Sequence, residues 1–477
     1  MKIVGFILTL ESLFMFLSAA VSAYFHEWDI PAILWSAGIT LACGLSILLL
    51  TDFRKKVRIF GKKEGYLSVT LSWILFAFFG ALPFYIGNIV PNFTDAFFES
   101  SSGITTTGSS ILTDIDHVPR GILFWRGLTQ WLGGMGIVVF SLALLPLLGG
   151  ESAQLFDAET TGLAHDKFQP RVAQMAKRLW AIYLLLTFLA IFLLWLGPMG
   201  LYDAVCNGFA TVSTGGFSTK QSSIAYWDSS YTEMIAILFM IVGSINFPLL
   251  YFLLKGKFKK FFKDEELRWY LSVIAVTSLI MCIGLTVDND YDFRLSFRHS
   301  LFQVVSTITT TGFSTCNFSV WGPFYQIIFL FLMIVCGCAG STSGGLKIVR
   351  AVVLVKNTVS EFDRLIHPRA IIPVRLNGTA LSFGVVQRLS AFAFVYACII
   401  LVSWSILTLS GIPFIDALGA TTSALGNVGS GLGELGEYGT YEKISSFAKW
   451  YLSFLMIIGR LEVFTVLILF SPGFWKK

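Results

Sequence analysis

Long apolar runs alternate along the chain with short polar islands that are rich in serine, threonine and glycine. Many of the runs have about 20 residues, enough for a helix to cross a hydrocarbon core of about 30 Å. Alternating strands of about ten residues are absent from the pattern, which disfavours a membrane β-barrel. The pattern predicts an all-α integral membrane protein with ten spans, at about 3–25, 31–51, 67–90, 121–148, 179–200, 231–254, 269–287, 321–354, 389–411 and 447–470.

Four of the polar islands contain versions of one short sequence: ITTTGSSI at 104–111, VSTGGFST at 212–219, ITTTGFST at 308–315 and LGNVGSGL at 425–432. They align on their central glycines, Gly108, Gly216, Gly312 and Gly429. The residue thirteen positions before each glycine is, in the same order, Asp95, Asp203, His299 and Asp416. A shared frame of this kind indicates four tandem repeats of span, short helix, polar turn and span.

The segments that precede the glycines are too short to cross a bilayer. Each has about a dozen residues, which as helix reach only half way through the hydrocarbon core. We therefore expect four re-entrant pore helices, with Asp95, Asp203 and Asp416 as acceptable N-caps. Each pore helix would direct its negative C-terminal end toward the centre of the membrane, where a cation is favoured.

The repeated turns have the composition of an ion filter. Non-helical backbone at membrane depth is tolerated only where it is buried in protein or lines a water-filled path. Glycine permits backbone angles that other residues resist, and rings of backbone carbonyls replace the hydration shell of potassium in known filters. Four such turns around a pseudo-fourfold axis would line one central path. The fourth copy, Asn427-Val428-Gly429, differs by one residue from the TVG core of potassium filters.

Composition and charge fix the class and the orientation. The chain has 477 residues, of which 55% are hydrophobic and only 13% charged, far fewer than the quarter typical of soluble proteins. The net charge of +5 comes from lysines and arginines in the loops of one face, which indicates a cytoplasmic face rather than a nucleic-acid site. Both termini are predicted on that face. The opposite face carries acids that would concentrate cations: Asp114, Asp116, Asp228, Asp288, Asp290, Asp292, Glu434, Glu437 and Glu442.

The basic loops are 51–65, which contains Arg54, Lys55, Lys56 and Arg58, then 149–178, 255–263, the segment after 354, and the C-terminal Lys476 and Lys477. Loop 149–178 is the weakest of these assignments because it mixes acids with its basic residues. The seven cysteines are scattered without paired CxxC spacing, so they are predicted to be buried free thiols rather than metal ligands.

Two further stretches interrupt apolar spans. The segment GCAGSTSGG at 337–345 is either a close helix contact made by small residues or an irregular loop. A nucleotide-binding P-loop fits worse, because Lys347 follows Leu346 rather than glycine. Arg460 lies deep in the last span, and a charge at that depth suggests a functional site. The alternatives for Arg460 are an ion pair with Glu462, the one acid noted deep in a span, or an anchor on carbonyl oxygens.

The chain resembles the membrane subunit of the Trk/Ktr/HKT superfamily of potassium transporters, most closely the TrkH type. The resemblance rests on the four turns together with GCAGSTSGGLKIVR at 337–350 and IIGRLEVFT at 457–465, and it covers nearly the whole chain. It implies an N-terminal hairpin with its basic loop (1–65), followed by pore repeats at 66–150, 151–265, 266–388 and 389–477.

The resemblance also implies functional residues. The potassium-coordinating positions fall on Thr106, Thr107, Gly108, Thr214, Gly215, Gly216, Thr310, Thr311, Gly312, Asn427, Val428 and Gly429. The family's gate falls on Gly340, Ser341, Thr342, Ser343, Gly344, Gly345, Lys347 and Arg460. In plant members a serine at the first glycine accompanies sodium transport, so Gly108 favours potassium.

The family further implies a homodimer in the bacterial inner membrane, a TrkA-type cytoplasmic nucleotide-binding ring as regulatory partner, and no organic cofactor in this chain. Two other functions remain open at this stage. One is a coupled carrier, a K⁺/H⁺ or K⁺/Na⁺ symporter, although carriers usually combine inverted repeats with ionisable midplane residues. The other is an intramembrane enzyme, which the absence of HExxH and of triad-like spacing disfavours.

Overall fold

The computed structural model describes residues 2–51, 62–148, 168–288, 292–436 and 439–475. Several predicted features therefore lie outside the described residues. They are Arg54, Lys55, Lys56 and Arg58 of the first basic loop, most of loop 149–178, the outer acids Asp290 and Glu437, and the C-terminal Lys476 and Lys477.

The described chain is mainly helical, because its long apolar stretches satisfy their backbone groups within each helix, as a membrane requires. Two hairpin helices come first, Lys2–Tyr24 and Ile30–Leu50. Four entry helices begin the repeats: Lys62–Gly80, with the short Leu82–Ile86 after it, then Phe168–Trp195, Glu265–Asp288 and Phe383–Leu409. The pore helices are Phe93–Ile104, Leu201–Val212, Phe293–Ile308 and Phe414–Gly426.

Four exit helices complete the repeats, and three of them are broken. Exit helix 1 is continuous, Arg120–Leu148, whereas the others have two parts: Ser230–Gly243 with Phe247–Leu254, Pro323–Val335 with Ile348–Ile366, and Ser446–Arg460 with Phe464–Leu467. Short helices also occur at Phe258–Lys263 and Pro472–Trp475. The strands are Arg375–Leu376 and Thr379–Ala380, which pair antiparallel around the turn at Asn377 and Gly378.

Among the described residues, six helices are long and apolar enough to cross a membrane, or eight if each of two bent pairs counts as one span. Exit helix 1 and the two parts of exit helix 3 occupy the positions of the other two predicted spans. The predicted exit spans at 231–254 and 447–470 are bent pairs of helices, with bends of 107° in repeat 2 and 108° in repeat 4. In repeat 2 the second part starts anew at Asn246, whose side chain accepts a hydrogen bond from Leu249 N, with Pro248 in its first turn.

The helices confirm the four-repeat pore architecture. The pore helices have 12, 12, 16 and 13 residues, so they are as short as predicted in repeats 1, 2 and 4 and a turn longer in repeat 3. Each exit helix packs against the pore helix of the following repeat, and exit helix 4 packs against pore helix 1. This last contact closes the ring. The N-terminal hairpin lies outside the ring, where its first helix packs on entry helix 1 and exit helix 1.

Candidate functional site

All four repeated turns have the same backbone conformation. The residue two before each glycine is left-handed, with φ of 54° at Thr106, 52° at Thr214, 58° at Thr310 and 54° at Asn427. The glycines that follow also have positive φ, of 92°, 81°, 75° and 97°. We call these four turns (106–108, 214–216, 310–312 and 427–429) the filter ring.

The left-handed residue ends each pore helix in a Schellman motif. Its own N–H donates to the carbonyl three residues back, at 2.9 to 3.4 Å. The next N–H donates to the carbonyl five residues back, from Thr107 to Ser102, Gly215 to Ala210, Thr311 to Ser306 and Val428 to Ser423, at 2.8 to 2.9 Å. These paired bonds are the standard way to satisfy the last carbonyls of a helix. The backbone of each turn is therefore fixed by its own pore helix.

Three of the four left-handed positions are strained. Glycine or asparagine usually occupies this position, and a β-branched residue there is an outlier. Asn427 is suited to the conformation, whereas Thr106, Thr214 and Thr310 are not. Such residues cost about 1–3 kcal/mol each and persist only where the surrounding structure fixes them, most often at functional sites.

The glycines contact one another's repeats in cyclic order. A Cβ placed on Gly108 would clash with the Gly215 carbonyl oxygen, and one on Gly216 with that of Thr311. The series continues from Gly312 to the Val428 carbonyl and closes from Gly429 to the Thr107 carbonyl. Each glycine is required because the carbonyl of the next repeat occupies the place of a side chain. Thr107, Thr214, Thr310, Asn427 and Val428 are all fully buried at this junction.

The prediction that Asp95, Asp203 and Asp416 are the N-caps of their pore helices was wrong. Asp95, Asp203 and Asp416 lie in the first turn of their pore helices, and no cap side chain bonds there. They bind instead to the chain that leaves the filter ring or to a neighbouring helix. Asp203 accepts from Thr219 Oγ1 at 2.7 Å, Asp416 from Glu434 N at 2.8 Å, and Asp95 pairs with Lys449 at 2.6 Å. His299 Nδ1 lies 3.5 Å from Thr315 Oγ1.

An irregular loop, residues 336–347, separates the two parts of exit helix 3 and lies against the filter ring. We call it the intramembrane loop. The Gly344 N–H donates to Thr310 Oγ1 at 2.9 Å, and Thr214 Oγ1 donates to Thr342 Oγ1 at 3.1 Å. A Cβ on Gly344 would clash with the Gly426 carbonyl and lie 2.9 Å from Asn427 Cβ. The loop therefore touches the left-handed residues of repeats 2, 3 and 4.

The loop itself is compact and bonded to the break in exit helix 2. Its ends, Cys336 and Lys347, have φ of 57° and 74°, in the left-handed region. The Gly340 carbonyl accepts from Phe247 N at 3.1 Å, and Lys347 Nζ donates to the Ser343 carbonyl.

Within the loop, Ser341 Oγ donates to the Cys338 carbonyl at 2.6 Å and lies 2.7 Å from Ser343 Oγ. At Gly345 the φ is 71°, and a side chain there would clash with Cys336 Sγ. The predicted gate residues are thus one packed unit.

Arg460 is an anchor on carbonyl oxygens. Its side chain is 2% exposed; Nη1 donates to the Thr342 carbonyl at 2.7 Å and Nη2 to the Gly133 carbonyl at 3.0 Å. The alternative of an ion pair with Glu462 is wrong, because Glu462 lies in the break of exit helix 4 and pairs with Arg350 at 2.6 Å. Arg460 therefore joins the intramembrane loop to exit helix 1.

The sequence reasoning missed four buried polar residues around repeat 1. Glu99, in pore helix 1, pairs with Arg126 of exit helix 1 at 2.6 Å and accepts from Ile111 N at 2.9 Å, just after the filter ring. Gln130, one turn beyond Arg126, donates to the Gly215 carbonyl at 2.5 Å. Glu11 of the first hairpin helix is fully buried, and neither carboxylate oxygen has a hydrogen-bond partner among the described residues. Their charged or amide side chains inside otherwise apolar segments are the feature of the sequence that could have identified them as functional candidates.

The outer acids are partly paired. Asp228 lies 3.1 Å from Arg298, Asp116 lies 3.5 Å from Lys220, and His117 bonds Asp114 at 2.7 Å. The hydrogen bond and negative charge of Asp114 raise the pKa of His117. The described cysteines are free thiols, and no cluster of three or more histidine, cysteine or acidic side chains that could hold a metal occurs in the described ranges.

Comparison with known proteins gives one consistent result. The profile of the TrkH family, described as cation transport protein, matches residues 36–477. The Trk system potassium uptake protein TrkH of Salmonella typhimurium is 38% identical over 100% of this chain and 99% of its own length. The Trk system potassium uptake protein TrkG of Escherichia coli K12 is 36% identical over 87% of this chain and 86% of its own.

A solved structure agrees with these relatives. The crystal structure of the potassium transporter TrkH from Vibrio parahaemolyticus superposes with a TM-score of 0.91 at 35% identity, covering 100% of this chain and 98% of that one. All these proteins are named as transport proteins, which confirms the prediction of a multi-pass membrane transporter rather than an enzyme. The chain belongs to the TrkH family of cation transport proteins.

Proposed function

We propose that the chain carries potassium ions into the cell through the filter ring. The observation that carries the proposal is the cyclic contact of four glycines with four carbonyls, which brings the same backbone turn from every repeat around one centre. Potassium filters replace the ion's hydration shell with such carbonyls. The names of the relatives as potassium uptake proteins support potassium as the ion.

Within the ring, the backbone carbonyls are the ion ligands in this proposal. The ligands come from Thr106, Thr107, Thr214, Gly215, Thr310, Thr311, Asn427 and Val428, with the four glycines beside them. The Asn427 side chain is engaged elsewhere, since its Nδ2 donates to Thr107 Oγ1 at 3.0 Å and to the Met456 carbonyl at 2.9 Å. Asn427 therefore contributes its backbone and braces the junction of repeats 4 and 1.

The intramembrane loop and Arg460 form the gate of this proposal. The loop fills the space directly beside the left-handed residues, so an ion that has passed the ring meets it next. Glycine at 337, 340, 344 and 345 gives the loop the backbone freedom that movement requires. The arginine charge would add an electrostatic barrier to resting cations.

We further propose that the chain forms a homodimer whose basic face is cytoplasmic and binds a TrkA-type nucleotide-binding ring. The printed name of the relatives, Trk system, supports a multi-component assembly. The described basic segment from Lys255 to Lys263 supports the orientation, because lysine-rich loops remain on the cytoplasmic side.

Potassium uptake is tested in a bacterial strain that lacks its own potassium uptake systems. The chain should restore growth at low potassium, with and without a TrkA-type partner measured separately. Purified protein in liposomes should pass K⁺ and Rb⁺ with little Na⁺. Growth that is not restored, together with equal K⁺ and Na⁺ flux in liposomes, would contradict the proposal.

A second candidate function is K⁺/H⁺ symport, and the observation that favours it is Glu11. Coupled carriers use ionisable residues inside the membrane, and this carboxyl is buried in a hairpin helix without a described hydrogen-bond partner. A Cβ on Gly80 would lie 3.2 Å from Glu11 Oε1 and 2.6 Å from Ser100 Oγ, so the carboxyl faces pore helix 1. Symport predicts that a potassium gradient drives proton entry into liposomes and that Glu11→Gln abolishes it. Single-channel currents without proton flux would favour the channel.

A further inference from the structure

The second turn of the filter ring differs from the others at the residue before its glycine. Repeats 1 and 3 have Thr107 and Thr311, repeat 4 has Val428, and repeat 2 has Gly215. The threonine hydroxyls are bonded within their own turns, from Thr107 to Thr105 at 2.7 Å and from Thr311 to Thr309 at 2.8 Å. The backbone at Gly215 has no side chain of its own to hold it.

A side chain from another repeat occupies the space that Gly215 leaves. A Cβ on Gly215 would lie 2.5 Å from Gln130 Cδ, 2.6 Å from Oε1 and 2.8 Å from Nε2. Gln130 is on exit helix 1 and is fully buried. The side-chain amide of repeat 1 thus fills the place of the missing side chain of repeat 2.

Gln130 also bonds the backbone on both sides of Gly216. Its Nε2 donates to the Gly215 carbonyl at 2.5 Å, and its Oε1 accepts from Phe217 N at 3.0 Å. Both partners agree on the orientation of the amide, because the carbonyl requires a donor and the N–H requires an acceptor. Among the described residues, the equivalent carbonyls of Thr107, Thr311 and Val428 accept no side-chain hydrogen bond.

A second group on the same helix face holds the next residues. Arg126 is four residues before Gln130, so the two side chains project from one face. Its guanidinium lies 3.5 Å from the Phe217 ring centroid, and Nη1 donates to the Ser218 carbonyl at 3.0 Å. Glu99 fixes the guanidinium in turn. Exit helix 1 therefore binds the second turn and the residues that follow it at three backbone groups, the Gly215 carbonyl, the Phe217 N–H and the Ser218 carbonyl.

We propose that Gln130 is a specificity-determining positioning residue of the potassium filter. It fixes the carbonyl of Gly215, which has no side chain of its own, and the Gln130 N–H occupies one acceptor direction of that oxygen. The inference rests on the proposed filter. Without Gln130, the peptide between Gly215 and Gly216 loses its side-chain hydrogen bonds, and a ring with one less restrained carbonyl discriminates less between K⁺ and Na⁺.

The test replaces Gln130 by methionine, which keeps the volume and removes both hydrogen bonds. Gln130→Met should lower the K⁺/Na⁺ permeability ratio about fivefold, the size expected for the one neutral hydrogen bond that reaches an ion ligand, the Gly215 carbonyl, while the protein amount in the membrane is unchanged. Gln130→Glu should lower it too, because the carboxylate loses the donor to Gly215. The matched control is Gln303→Met: Gln303 is equally buried but donates to the Cys316 carbonyl, beyond the ring, and its replacement should leave the ratio unchanged.

Two further variants separate this inference from the filter itself. Gly215→Ala should abolish potassium flux, because the added methyl group clashes with Gln130. The double variant Gly215→Ala with Gln130→Ala removes the clash and should recover flux with a reduced K⁺/Na⁺ ratio. Gly312→Ser reports on the ring directly. If Gly312→Ser lowers the ratio and both Gln130 variants keep the wild-type ratio, the role of Gln130 is disproved and the filter stands. If Gly312→Ser also keeps the wild-type ratio, the filter proposal fails.

Discussion

The filter ring and the intramembrane loop are both irregular backbone buried at the centre of the protein, but they are held in different ways. The ring consists of four copies of one turn, and each copy is fixed by backbone hydrogen bonds to its own pore helix. The loop occurs once, and its bonds run to distant segments: backbone bonds to the break in exit helix 2, such as Phe247 N to the Gly340 carbonyl, and side-chain bonds with Thr310, Thr214 and Arg460. A single bond of this kind contributes only about 1 kcal/mol, or about 1.5–3 kcal/mol when charged.

The difference suggests a division of work between the two regions. Four interlocked copies cannot move singly, because each glycine is in contact with the carbonyl of its neighbour. The loop can leave its place by breaking its separate hydrogen bonds to the ring, to Arg460 and to exit helix 2, and by relaxing two left-handed residues, Cys336 and Lys347. Changes in the ring should therefore alter selectivity, and changes in the loop should alter flux alone.

The largest effect is expected from Gly312→Ser. A side chain there meets the Val428 carbonyl and a φ of 75°, so the ring must distort. The cost of one strained residue is about 1–3 kcal/mol, which corresponds to a loss of roughly fivefold to 150-fold in the K⁺/Na⁺ permeability ratio. Reversal potentials in bi-ionic conditions measure the ratio. Gly378→Ser is the control: its φ is 78°, but nothing lies within 4 Å, and selectivity should be unchanged.

The sequence was sufficient to predict the ring because its information is local. The spacing of thirteen residues that ends at Gly108 recurs in every repeat. The glycine whose positive φ the turn requires occurs at the same position of each copy, so it can be recognised from the sequence. The cyclic contacts between repeats follow from the same repetition. The apolar runs were equally readable, since helices in a membrane must be long and hydrophobic.

The parts that were missed depend on contacts between distant segments. Nothing in the sequence around Gln130 shows that its amide lies beside Gly215, 85 residues further along the chain. The breaks in exit helices 2 and 4 fall within apolar runs, so hydropathy counted each as one span. The sequence placed Arg460 deep in the membrane. It could not show that Arg460 binds the Thr342 and Gly133 carbonyls rather than Glu462, because this depends on the break of exit helix 4 that follows Arg460.

The second effect in size is expected from shortening the intramembrane loop. Deletion of 341–344 removes the Thr342 and Gly344 contacts with the ring together with the Arg460 anchor point. Potassium flux should rise by about tenfold or more, because several hydrogen bonds of the closed state are lost at once. Rubidium uptake into liposomes without any regulatory protein measures it. A fall in flux, or a changed K⁺/Na⁺ ratio, would show that the loop supports the ring rather than closing the path.

Arg460 offers a smaller change with a separable cause. Arg460→Leu removes both charge-assisted bonds and should raise resting flux about tenfold, in line with about 1.5 kcal/mol of lost anchoring. Arg460→Lys keeps the charge but lacks the planar fork that reaches Thr342 and Gly133 together. Low resting flux in the lysine variant would assign the barrier to charge, and high flux in both variants would assign it to the anchor. Wild-type flux in the leucine variant would contradict both.

The smallest effect is expected where the ring and the loop meet. Thr310→Val is nearly isosteric and removes only the acceptor of the Gly344 N–H, so the open fraction should rise about fivefold, as for one neutral hydrogen bond. Thr106→Val is the matched control, since Thr106 occupies the same left-handed position and its hydroxyl has no hydrogen-bond partner among the described residues. Single-channel recordings separate open probability from selectivity. Equal open probabilities in the two variants would mean that the loop does not depend on the ring for its position. A lowered K⁺/Na⁺ ratio in Thr310→Val alone would mean that the threonine hydroxyl acts in the filter rather than in the gate.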